Sequence, residues 1–187
     1  MKFFTPLVIR PDKPFYITTI DPGIRNLAVR MSLYSPDTDR SKTVILKRFD
    51  LKPDKTLDYN GSYLNLVKIM EELLPEIKKS SVIGVESQMP FNHELTRMEQ
   101  HIISSLMVLL KDRLPSIVSI NSKLKNRFFK KRKENVKKLS VEKAKEFLLK
   151  NGEDPELLLN EKKKDDLSDT ILYEQLLIDF IKCLNTP

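Results

Sequence analysis

The order of its apolar runs limits this chain more than any single motif does. Short β-rich runs cover Phe15–Ile20, Leu27–Tyr34 and Thr43–Leu51, joined by a DPG turn and by SPDTDRS. Strands linked this closely predict an antiparallel meander. After KPDKTLDYNGS, apolar residues recur at helical spacing at Leu64, Val67, Met70, Leu73 and Leu74 until Pro75, where the missing N–H disturbs a helix. A strand over Ser80–Glu86, a helix from about Glu94 to Lys111 and a strand over Ser116–Ile120 follow. A helix from about Ser140 to Lys150 and a closing helix from about Asp165 to Leu184 complete the pattern. The order βββ-α-β-α-β-α-α predicts an α/β chain: a mixed five-stranded sheet with helices on its faces.

A chain of 187 residues fits one domain with its own core, here with residues 1–14 as a frayed N-terminal tail. The 33 Lys and Arg against 26 Asp and Glu leave a formal charge of +7, which favours an anionic partner, nucleic acid ahead of a membrane surface. The single cysteine, Cys183, excludes an internal disulfide framework and is expected in the core. No apolar run reaches the ~18 residues that span a bilayer, and MKFFTPLVIRP is too short and too broken by proline for a secretion signal. The expectation is a soluble intracellular protein.

Three places put acids where elements end. The first strand runs out at Asp21 in the stretch YITTIDPGIRNLA, the fourth ends at Glu86 after VIGV, and the closing helix begins with Asp165, Asp166 and Asp169 in KKKDDLSDT. On a helix, positions 166 and 169 lie about 60° apart and 165 and 169 about 40°, so either pair aims two carboxylates at one point. VIGV is too apolar for a surface strand, which sends Glu86 to the sheet's edge, where ligands of open sheets sit. Taken singly, each acid also has an ordinary role: Asp21 as a turn residue, Glu86 as a solvated strand end, the aspartates as partners of free helix N–H groups. Gathered together, they repel one another unless a cation intervenes. Mg²⁺, or Mn²⁺ in its place, suits an all-oxygen site, and two such ions about 4 Å apart flank a scissile phosphate. Zinc fits poorly, because His93 and His101 stand eight apart with no cysteine near them.

The segments IDPGIRNLA (20–28), IGVESQ (83–88), KKLSVEKAKEFL (137–148) and KKDDLSDT (163–170), in this order and spacing, resemble the RuvC-like Holliday junction resolvases, notably the poxvirus and fungal mitochondrial members. The resemblance implies an RNase H-like fold, a homodimer, and Mg²⁺-dependent cutting of paired strands at a four-way DNA junction. It implies Asp21 as the acid ending the first strand, Glu86 as that ending the fourth, and Asp166 with Asp169 as the pair on the last helix. The tandem aspartate leaves Asp165 open as a substitute for Asp166 as metal ligand. A basic residue beside the scissile phosphate is also implied, at Lys138 or its neighbour Lys137. Viral members act in the host cytoplasm or an infected bacterium and fungal members in mitochondria; the compact chain favours a viral source.

The run NSKLKNRFFKKRKENVKK crowds Lys123, Lys125, Arg127, Lys130, Lys131, Arg132, Lys133 and Lys137 around Phe128 and Phe129. Such cations neutralise phosphates, and the rings stack on exposed bases or wedge a junction open. The plain alternatives are a solvated loop anchored by its phenylalanines and a nuclear address in KKRK. The helix over Glu94–Leu110 carries apolar residues at Leu95, Met98, Ile102, Ile103, Leu106, Met107, Leu109 and Leu110. Part of that surface is expected to face the sheet, and any excess suits a second subunit, the alternative being that all of it belongs to the core. The sequence therefore points to a homodimeric junction endonuclease. A nuclease for flaps or RNA·DNA hybrids, and a basic DNA-binding protein without chemistry, stand as alternatives.

Overall fold

A computed structural model describes residues 1–7, 9, 12–54, 58–129 and 135–184. The three-strand meander forms as expected: β2 (Phe15–Asp21), β3 (Asn26–Ser35) and β4 (Arg40–Asp50) pair antiparallel. The strand β5 (Ser80–Ser87) pairs parallel with β2, and β6 (Ser116–Asn121) parallel with β5. The expected five strands are joined by a sixth. β1 (Lys2–Phe3) lies antiparallel against β6, giving the order β1-β6-β5-β2-β3-β4.

The start of the chain is thus not a frayed tail. Thr5 is buried and donates to the Pro115 carbonyl at 2.7 Å, while its hydroxyl accepts from Ile117 N–H at 2.6 Å. Those bonds satisfy backbone groups that β6 would otherwise leave bare at its free side.

Helices α1 (Tyr59–Ile77) and α2 (His93–Leu109) pack against Ile20, Val29, Ile83, Val85 and Ile117 on one face. Pro75 does not end α1. It sits in the last turns, where its missing N–H forfeits only the bond to the carbonyl of exposed Glu71. The opposite face holds α5 (Lys164–Leu184), whose Tyr173, Leu176 and Leu177 pack on Ile17, Val82, Val118 and Ile120. The helices α3 (Val136–Lys150) and α4 (Glu156–Leu159) flank α5, with Ala144, Leu148 and Leu158 closing on Leu167 and Ile171.

Gly84 lets α5 approach closely: a Cβ there would stand 2.5 Å from Ile120 Cδ1 and 2.8 Å from Leu177 Cδ1. Cys183 is exposed, contrary to its expected place in the core. Ile181 is the last buried residue of α5 and Leu184 is exposed, so the helix outruns the sheet it covers. No helix among the described residues is long and apolar enough to cross a membrane.

Candidate active site

Strand direction brings the first two acids together. Because β2 and β5 run parallel with Ile20 beside Val85, their next residues, Asp21 and Glu86, emerge side by side at one edge of the sheet. Residues of one parity share a face, so Asp21 projects with Ile17 and Thr19, and Glu86 with Val82 and Gly84, toward α5. Thr19 Oγ1 donates to the Thr170 carbonyl at 2.9 Å and fixes the first turns of α5 over that edge. Asp169, one residue earlier, thereby joins the pair.

The electrostatics confirm the approach. Asp21 keeps some exposed surface, yet protein packs densely round its carboxyl and pushes it well above the ordinary carboxylate range. Burial is the largest cause, followed by Glu86, with which it is close enough to share a proton, and then Asp169. Asp169 is raised too, by burial first; the attraction of Lys125 offsets part of this and Glu86 adds to it. Tyr173, fully buried on α5, is pushed up by burial and then by Glu86, Asp169 and Asp21. Ser140 faces Asp169, but neither its Oγ nor Asp169 Oδ1 completes a hydrogen bond. Gln88 Nε2 donates to Glu86 Oε2 at 3.3 Å.

The other two aspartates face different neighbours. Asp165 accepts from Lys137 Nζ at 2.6 Å; burial works against its charge, but the ammonium holds it below its ordinary value. Asp166 is raised by burial and then by Asp165, with Lys163, Lys137 and Arg48 pulling the other way, and its Oδ2 is buried without a hydrogen-bond partner. Lys137 thus faces the acids from α3, and Asp166 and Asp169 also act on it. Lys138 is exposed.

The basic run divides. Lys123 is exposed, whereas Lys125 pairs with Asp169 inside the cluster. Arg127 pairs with Asp179 at 2.6 Å. Phe128 packs on the α5 face of the core and edge-on to Phe147 at 5.3 Å, which makes it an anchor rather than a free stacking platform. Phe129 is half-buried. Lys130, Lys131, Arg132 and Lys133 lie outside the described residues.

The donor set at the cluster is all oxygen, and one buried carboxylate oxygen of Asp169 has no partner; in chemistry it fits a hard divalent cation. Among the described residues, no three His, Cys, Asp or Glu side chains close on one point as a metal site, and Lys125 is paired with Asp169.

No family sequence model matches the chain, and no curated protein matches it in sequence. Solved structures do match. The resolvase of fowlpox virus, crystallised with Holliday junction DNA, superposes with a TM-score of 0.61 at 16% identity, covering 91% of this chain and 99% of that one. The fold is that of the Holliday junction resolvases. The yeast mitochondrial Holliday junction resolvase gives 0.60 at 18% identity over 88% and 77% of the two chains. T. thermophilus RuvC, in complex with its junction substrate, gives 0.55 at 13% over 87% and 96%. The mixed sheet with helices on both faces expected from the element order is therefore present, with one strand more.

Within this fold, three buried charged residues escaped the sequence reading, Glu99 and the pair Arg30 and Glu174. Glu99 of α2 accepts from Gln88 N–H at 2.8 Å and from Ser119 Oγ at 3.1 Å, tying α2 to the segment that follows Glu86. Its signal was a glutamate on the helix stripe of Ile102, Ile103 and Leu106. Arg30 is 1% exposed and pairs with Glu174 of α5; its signal was an arginine inside the apolar strand NLAVRMSLYS.

Proposed function

We propose that this protein is a divalent-metal-dependent endonuclease that resolves four-way DNA junctions as a homodimer, by paired hydrolysis of phosphodiester bonds. The observation that carries this reading is that Asp21, Glu86 and Asp169, from three distant elements, come within electrostatic reach of one another at one sheet edge, in a fold shared with solved resolvases. These three would hold Mg²⁺ or Mn²⁺, with Asp166 or Asp165 as a further ligand from the same helix turn. The cation supplies an activated water and charge stabilisation at the phosphate.

The chain's own residues set the stage for that chemistry. Gln88 orients Glu86 through its Oε2, and Thr19 holds the start of α5 so that Asp169 faces Asp21. Buried Tyr173 backs the acids with a ring that excludes water. Lys137, its side chain 77% exposed, presents an ammonium at the rim, where a DNA backbone would pass; Lys138 is the alternative for this role. Exposed Lys123 would add a further cation for the phosphate backbone. Leu64, Val67 and Val108 are exposed on α1 and α2, on the face away from the acids. They suit a second copy, and two symmetric nicks need two active sites.

The test uses purified protein and a synthetic four-way junction with and without Mg²⁺. Paired symmetric nicks that require the cation are expected, and Asp21→Asn should slow cutting by about a thousandfold or more while junction binding persists. Binding without any nicking would instead mark a non-catalytic DNA-binding protein. Faster cutting of flaps or RNA·DNA hybrids would reassign the substrate.

A further inference from the structure

Lys125 occupies an unusual position for a cation in a DNA-binding run. Its side chain is 14% exposed, its Nζ pairs with Asp169 Oδ2, and it lies 5.6 Å from the centroid of the Tyr173 ring. It also acts on Asp21, as a charge opposing the pull of Glu86 and Asp169. The backbone that carries it is pinned on both sides. The 3₁₀ segment Ser122–Phe128 follows β6 directly; Leu124 and Phe128 pack into the core, and Arg127 holds Asp179 at 2.6 Å. Motion at this point therefore belongs to the lysine side chain itself, an ammonium on a flexible four-carbon stem.

Resting on the nuclease function proposed above, we propose that Lys125 is a tethered counter-ion that holds the cation position at Asp169 in the metal-free protein and is displaced from it when a divalent cation binds. Both positive groups seek the same carboxylate, and the repulsion between a divalent ion and an ammonium a few ångströms apart disfavours joint occupancy. A displaced ammonium on this segment turns toward the exposed rim that holds Lys123, where a phosphate is its natural partner. Metal binding and DNA binding then favour each other. The ion frees an ammonium for the phosphate, and a phosphate that takes the ammonium vacates the metal position; by linkage the coupling is the same in both directions. The charge count agrees, since the Lys125 ammonium faces three carboxyl groups, those of Asp21, Glu86 and Asp169.

The experiment is a Mn²⁺ titration without DNA, followed by electron paramagnetic resonance, on the wild type, Lys125→Met, Lys125→Gln and Asp21→Asn. In parallel, acetic anhydride labelling of the wild-type protein with and without Mn²⁺ is read at Lys125 by mass spectrometry. We expect both Lys125 variants to bind Mn²⁺ about tenfold tighter than the wild type, Asp21→Asn to bind it far more weakly, and labelling of Lys125 to rise on Mn²⁺ addition. Wild-type affinity in the Lys125 variants, or weaker, overturns the counter-ion role and leaves the nuclease function standing. So does unchanged or reduced labelling of Lys125 once Mn²⁺ is bound. Should a variant fail to fold, the labelling of the wild type decides by itself. Absence of Mn²⁺ binding in the wild type and in both Lys125 variants would sink the metal-dependent function and this inference together.

Discussion

Helix α5 contributes to two charged centres on the same face of the sheet, and they are balanced differently. Around Glu174, the buried Arg30 guanidinium is fully employed: Nε meets Glu174, Nη1 donates to Thr43 Oγ1 at 2.7 Å, and Nη2 reaches Glu153 Oε2 at 3.4 Å. Burial works against that charge, but Glu174 and then Glu153 outweigh it. Glu153 also accepts from the Thr43 N–H on the edge strand β4, and Asn151 likewise accepts from Ser41 N–H. Five residues earlier, Asp169 joins Asp21 and Glu86 with Lys125 as the ammonium at the cluster, and one of its oxygens has no partner. A donor-rich cation with satisfied partners locks strands to a helix. A surplus of carboxylates stores repulsion that a bound proton or a further cation relieves. The first centre serves the fold, and the second, in the function proposed above, gives up stability for a site that takes a metal ion.

The largest test of that contrast removes the fold's cation. Arg30→Met strands the buried Glu174 and should lower stability by about 3–5 kcal/mol in urea unfolding; a loss under ~1 kcal/mol would mean that the network is not structural.

Asp21→Asn should act in the opposite direction, raising the stability of the metal-free protein by about 1 kcal/mol near neutral pH. The sign follows from linkage. Asp21 titrates higher in the folded chain than in the unfolded one, so its contribution is fully present below the ordinary carboxylate value and is lost as pH rises through the raised folded-state value. Urea midpoints of the metal-free wild type should therefore fall relative to those of Asp21→Asn as pH rises above about 4. Parallel curves for the two proteins would show that the acids are not strained. Added Mg²⁺ should raise the melting temperature of the wild type and leave that of Asp21→Asn nearly unchanged.

The smallest effect separates two lysines. Lys137→Ala removes the ammonium beside Asp165 and should slow junction cutting by about tenfold, against less than about threefold for the exposed Lys138→Ala. The reverse order would move the phosphate-facing role to Lys138.

Much of the site was legible in the sequence because parallel strands present their C-terminal ends at one edge. Asp21 and Glu86 each close an apolar run, and once β2 and β5 are parallel neighbours their ends must meet. Asp169 followed from helical spacing. The choice between Asp165 and Asp166 did not, because adjacent helix positions differ by about 100°, and only the packing of α5 and α3 shows Asp165 against Lys137 and Asp166 among Lys163, Lys137 and Arg48. Lys125 read as one cation in a basic run. Its position just after β6, whose end lies beside that of β5, was the available clue. β1 was unreadable for a related reason: two residues carry no periodicity, and their pairing depends on β6 offering a free side.

The sequence by itself determined the element order, the helix and strand faces and the basic balance, since these rest on local periodicity and composition. Only the tertiary structure decided which charges became partners. Lys125 on Asp169, Arg30 on Glu174 and Glu99 on Gln88 join residues 44, 144 and 11 positions apart. Such pairs arise from strand register and from the depth at which α5 and α2 settle on the sheet, which are properties of packed surfaces that no local window of sequence contains.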